Sequence, residues 1–191
     1  MFYYTIFFIT FIINIIPHAR RCKRVPSLYF ISSVKTSANR CIYVALVTHL
    51  RGKDCRPFNS DMKVLPRGDE NPSYYPDVTV TCNPEDYKHD STAIRSPRLV
   101  IEVLSRSTAY RDRSEKLRAY QACPSVDEYV MVSSHHQELE VYHRESTDKW
   151  TFIRYTVQQN VTLASVGLTI LVSEIYAGTN VPPIASVSST D

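Results

Sequence analysis

Six consecutive residues, Leu99-Val100-Ile101-Glu102-Val103-Leu104, contain one polar side chain, and it is a carboxylate. A run that is apolar at both alternating positions belongs to a strand covered on both faces, since only there are all its side chains taken from water. Glu102 would share its face with Val100 and Leu104. Its carboxylate is then desolvated unless something cationic meets it.

Two further stretches supply what such an acid needs. Tyr74-Tyr75-Pro76-Asp77-Val78-Thr79-Val80-Thr81 is rich in β-formers and ends at the turn pair Asn83-Pro84. Along it Asp77, Thr79 and Thr81 point one way and Val78, Val80 and Cys82 the other. Neighbouring strands lie about 4.8 Å apart, so Asp77 and Glu102 come within reach of one ion if the register allows. Sequence does not fix that register. Asp112 to Tyr120 opens with Asp-x-x-Glu and is followed by Pro124, which predicts a short helix with Asp112 as N-cap and Glu115 closing a capping box. Lys116 then lies in its first turn and can approach the end of the strand that carries Glu102.

Two converging carboxylates suit a hard divalent cation such as magnesium. A lysine beside them stabilises charge on a phosphate or orients an attacking water. Taken singly, each residue has a plainer reading. Asp77 is a turn acid after Pro76, Glu102 half of a structural ion pair with Lys116 as its partner, and Lys116 an exposed helix lysine. The three together make a phosphodiester-cleaving constellation the better expectation, because a buried ion pair is seldom favourable over apolar replacement.

The residues that carry this constellation also carry a resemblance. Pro76-Asp77, Glu102-Val103-Leu104-Ser105, Asp112 to Lys116 with Tyr120, and Glu128-Tyr129-Val130 resemble the Uma-two family of "putative restriction endonucleases" in the PD-(D/E)xK nuclease superfamily. The likeness runs from about Leu46, through Thr48-His49-Leu50-Arg51-Gly52 and Phe58 to Val64, as far as Ile175-Tyr176-Ala177-Gly178. It implies an α/β fold, a restriction-endonuclease-like mixed β-sheet flanked by helices with a C-terminal β-hairpin extension. It also implies catalytic Asp77, Glu102 and Lys116; Mg2+ or Mn2+ bound by Asp77, Glu102 and the Val103 carbonyl; DNA as substrate; and a possible homodimer. The superfamily's usual lysine position, two residues after the acid, holds Leu104, so the resemblance implies a lysine migrated to the next helix, as Lys116. Ser105-Arg106-Ser107-Thr108 stands where the family has Ser-Pro-Ser-Thr. The rival expectation is a catalytically inactive nuclease fold that binds DNA or dimerises.

Charge is divided along the chain. The first 50 residues carry six Lys/Arg and no acid, whereas the remainder is net acidic. Residues 1–40 therefore form an atypical apolar and basic segment, 41–180 the nuclease-like domain and 181–191 a disordered tail. Met1 to Ile16 is nearly all apolar, yet as a helix it reaches about 24 Å against a hydrocarbon core of about 30 Å. A membrane-associated segment, a buried element and a replaced or mis-started N-terminus are the three readings, and the acidic first helix usual in the family is absent before Arg40. The expected location is cytoplasmic. The five cysteines show no Cys-x-x-Cys spacing, which predicts reduced thiols.

The remaining elements follow from periodicity. A helix is expected over Thr36 to Leu50 with Gly52 as its stop, an edge strand over Arg56 to Val64, and a polar connection over Asn83 to Pro97. Glu128 to Ser133 and Leu139 to Arg144 predict a hairpin about Ser134-His135-His136-Gln137, whose exposed histidines are poor metal ligands. Trp150 to Val157 predicts a strand, its tryptophan in packing, and Val172 to Tyr176 a final helical turn. No side chain is assigned as nucleophile; Ser105 could be proposed, but no base is paired with it.

Overall fold

A computed structural model describes residues 34–66, 72–89 and 91–184. Helix α1, Val34–His49, presents Ala38, Ile42 and Leu46 at successive four-residue steps, and all three are fully buried. Gly52, at φ +78°, takes the left-handed conformation that turns the chain away after the helix.

Six strands form one sheet in chain order: β1 (Arg56–Asn59), β2 (Val78–Thr81), β3 (Pro97–Leu104), β4 (Glu128–Ser133), β5 (Glu138–Ser146) and β6 (Lys149–Thr156). Every neighbouring pair is antiparallel except β3 and β4, which run parallel. A parallel pair needs a crossover. Here it is a helical stretch in three pieces: α2 (Ala109–Arg111), a π-helical segment (Asp112–Lys116) and α3 (Leu117–Gln121). A two-stranded hairpin, β7 (Asn160–Leu163) and β8 (Leu168–Leu171), follows the sheet and leads into α4 (Val172–Ile175).

Strand β3 divides the core by simple alternation. Leu99, Ile101 and Val103 join a cluster with α1, α4 and the β7–β8 hairpin, whereas Val100 and Leu104 join Tyr120, Cys123, Tyr129 and Met131 under the crossover. Both sides of the strand are thus covered, as its composition required. The hairpin is tied down at its loop. Glu128, at the start of β4, accepts from the amides of Ala164 and Ser165 at 2.9 and 3.0 Å and from the Ser165 hydroxyl.

Three expectations need correction. The strand from Arg56 stops at Asn59, because the chain turns through Ser60 and Asp61 and Val64 makes only single bridges, to Tyr74 and Ile94. The expected reduced state fails for one pair: Cys55 and Cys82 form a disulfide, since pairing of Arg56 with Thr81 sets the residues just outside it face to face. Cys41 and Cys123 are free and buried. The expected tail is held at its start, where Val181 is buried and Gln137 donates to the carbonyls of Val181 and Pro182. The readings of residues 1–33 lie outside the described residues; among those described, no helix is long and apolar enough to cross a membrane.

Ile101 is fully buried at the centre of the sheet. Replacement by alanine is expected to cost about 2–5 kcal/mol in urea unfolding, and a cost near zero would contradict its place in the core.

Candidate active site

The site begins where β2 meets β3. Val78 pairs with Ile101, so one antiparallel step further sets Asp77 opposite Glu102. Asp77 lies just before β2, buried, and its Oδ2 accepts from the Val103 amide at 2.8 Å. The register that sequence left open is therefore the one that brings the two acids together.

Glu102 occupies the crossover side of β3 with 2 % of its surface exposed. The same row continues across the sheet through Met131, Glu140 and Arg154. Two ion pairs fasten the π-helical segment over this row. Lys116 Nζ stands 2.8 Å from Glu102 Oε1, and Arg113 grips both oxygens of Glu140 at 2.9 and 3.2 Å. Both carboxylates are buried, so each cation offsets a charge that water cannot reach.

Asp112 departs from its expected role. The helix starts at Ala109, whose amide bonds the Ser105 carbonyl, so the Ser105-to-Thr108 turn initiates it a turn early. Asp112 is consequently internal, and Glu115 closes no capping box but pairs with Arg111 and accepts from the Tyr74 hydroxyl. The Asp112 side chain is 1 % exposed and its Oδ1 lies 2.8 Å from Lys116 Nζ. Although the charges are close, neither Asp112 oxygen has a well-aligned hydrogen bond, and the buried Tyr120 hydroxyl also lacks one. The Tyr129 hydroxyl supports the turn by donating to the Asp112 carbonyl at 3.1 Å. Sequence reading missed Asp112 as a site residue, yet Asp112, Lys116 and Tyr120 recur every four residues and so share one helical face.

Electrostatics follow from burial. Desolvation pushes the Glu102 carboxyl up to about 7; Lys116 pulls it down, and the nearby Asp112 and Asp77 charges raise it. Burial disfavours the Lys116 ammonium, but Glu102 and then Asp112 outweigh it and hold its pKa above the ordinary value. Burial also pushes the Tyr120 phenol well up.

The donor set fits a hard cation. Asp77 and Glu102 are carboxylates on facing positions, the kind of oxygen donor such an ion takes. Among the described residues no three His, Cys, Asp or Glu side chains gather as a ready-made metal cage. Magnesium commonly takes one or two carboxylates and keeps the remainder of its shell as water or phosphate, so two facing acids suffice. His135 and His136 are exposed at the β4–β5 turn and belong to no such group. A cavity of about 390 Å³ opens beside the helical stretch, lined by Tyr74, Tyr110, Glu115 and Arg118 among others; none of Asp77, Glu102 and Lys116 lines it.

A mixed six-stranded sheet flanked by helices is a nuclease-like α/β architecture. Residues 32–173 match the Uma2 family, described as "Putative restriction endonuclease", and the chain belongs to that family. Two Synechocystis relatives are similar. The uncharacterized protein slr1290 is 40% identical over 130 residues, spanning 68% of this chain and 67% of its own, and the uncharacterized protein sll1609 is 31% identical over 94 residues, spanning 49% and 52%. The fold is shared with the crystal structure of a "putative nuclease belonging to DUF820" from Anabaena variabilis, at a TM-score of 0.59 and 14% identity over 75% of this chain and 80% of that one.

The Glu102 carboxyl binds its proton more tightly when folded than when unfolded, so its ionisation lowers stability as pH rises from about 4.5 to about 7. Glu102→Gln removes that ionisation. Its stability relative to the native chain is expected to climb over this interval by on the order of 3 kcal/mol and level off above it. Urea unfolding at a series of pH values measures this, and a difference independent of pH would refute the shift.

Proposed function

We propose that this protein is a metal-dependent endonuclease that hydrolyses DNA phosphodiester bonds at Asp77, Glu102 and Lys116. The single observation that supports the reading is the Glu102 carboxylate, paired with Lys116 of the crossover at 2.8 Å and near enough to Asp77, on the facing segment, to feel its charge. Asp77, Glu102 and the Val103 carbonyl would hold Mg2+ or Mn2+. When bound, the ion supplies Lewis-acid polarisation of the phosphate and lowers the pKa of a bound water.

The side chains themselves have distinct tasks. Asp77 is fixed by the Val103 amide, so its carboxylate needs little reorganisation to serve as a ligand. Glu102 is held as an ion pair whose cation can be exchanged for a metal. Lys116, once Glu102 turns from it to a metal, can use its ammonium to neutralise charge developing on a phosphate or orient the attacking water. No side chain is assigned as nucleophile. A pair of such sites in a homodimer would be needed to cut both strands in one encounter, and this belongs to the proposal as well.

The test is cleavage of a mixed-sequence plasmid by the full chain with Mg2+, with Mn2+ and with chelator. Cleavage is expected only with added cation, and Asp77→Ala and Lys116→Met are each expected to lower the rate by about 10²-fold or more. Equal activity in the variants, or none in the native chain with either cation, would leave an inactive nuclease fold that binds DNA or dimerises.

A further inference from the structure

Beyond the three residues of the proposed site lies a fourth, and its surroundings are unusual. Asp112 is a carboxylate 1 % exposed, set 2.8 Å from Lys116 Nζ, with no aligned hydrogen bond to either oxygen. Ordinary helix acids occupy exposed positions or caps; this one lies in the π-helical turn, Asp112 to Lys116, and is buried. Burying an acid in this way is costly unless a specific partner requires it. Lys116 is thereby placed between two carboxylates, one on β3 and one on its own helix.

The geometry points to Asp112 as a positioning residue that holds the Lys116 ammonium in the site when Glu102 is engaged elsewhere. The inference rests on the nuclease reading, in which Glu102 turns from the lysine to a cation. With Glu102 as its sole partner, Lys116 would be released at the moment its charge is needed. With Asp112 it keeps one buried counter-charge, and the ion pair within the helix fixes the side chain's direction. Arg113, gripping Glu140, stops the turn from lifting while the exchange takes place.

Two measurements test this, one of them independent of cleavage. Acetylation of lysines by an N-hydroxysuccinimide ester, followed site by site with mass spectrometry, reads how firmly Lys116 is held in the native chain, Glu102→Gln, Asp112→Asn and the double variant. Glu102→Gln imitates the loss of Glu102's charge to a cation. Lys116 is expected to stay protected there and to react about tenfold faster once Asp112 is also neutralised, as its last buried counter-charge is then lost. Release by Glu102→Gln alone, or no release in the double variant, overturns the inference. Asp112→Ser enters the same comparison if the asparagine variant does not fold.

The second measurement is plasmid cleavage with calorimetric Mg2+ titration. Asp112→Asn is expected to lower kcat by about 10²-fold, with KM and Mg2+ affinity near native values, and to add nothing further in a Lys116→Met background. Multiplicative losses in that background, or activity restored by excess Mg2+, would make Asp112 something other than a holder of Lys116. Unchanged kcat in Asp112→Asn would likewise overturn the role. A native chain without cleavage sinks the nuclease reading on its own arm and with it the catalytic role, while the acetylation arm still reports whether Asp112 holds the lysine.

Discussion

A negative charge inside a fully covered strand constrains everything around it. Ionised, Glu102 cannot sit at 2 % exposure without a counter-charge, and the counter-charge comes from the segment that joins its strand to the next. The parallel step between β3 and β4 obliges the chain to cross over the sheet, and the crossover carries the lysine. Topology and electrostatics are therefore satisfied by one piece of structure. The second ion pair, Arg113 with Glu140, repeats the solution two strands away along the same row.

Much of the fold was legible because its signals are local. The six-residue run from Leu99 predicted a doubly covered strand, and alternation alone separated Glu102, Val100 and Leu104 from Ile101 and Val103. The helix ending before Gly52, the hairpin after Glu128 and the final helical turn at Val172 rested on equally local periodicity and turn chemistry. What escaped depended on distant pairing. The register that sets Asp77 against Glu102 is a property of two strands more than twenty residues apart in sequence, and no pattern within either encodes it.

The errors have the same origin. Asp112-x-x-Glu115 carries the signature of a helix start, but the preceding Ser105-to-Thr108 turn begins the helix first and Asp112 is carried inward. Its spacing to Lys116 and Tyr120 was the better clue, since a shared face outranks a generic cap pattern when that face meets a charged strand. Cys55 and Cys82 stand 27 residues apart with no motif between them; only the β1–β2 ladder reveals that they are neighbours.

The π turn has a wider meaning for how such a centre can change. A turn of this kind contains one residue more than the regular helix, so the side chains before and after it are out of phase with an uninterrupted spiral. Loss of a residue there would let the turn close to regular helix, with residues about 100° apart, so the spacing of Asp112 from Lys116 would shorten while the helix that follows and its aromatic packing kept their place. Point substitutions are thus not the sole route by which a lineage with this architecture could fall silent: a single-codon deletion in the crossover would dismantle the charge arrangement and spare the scaffold.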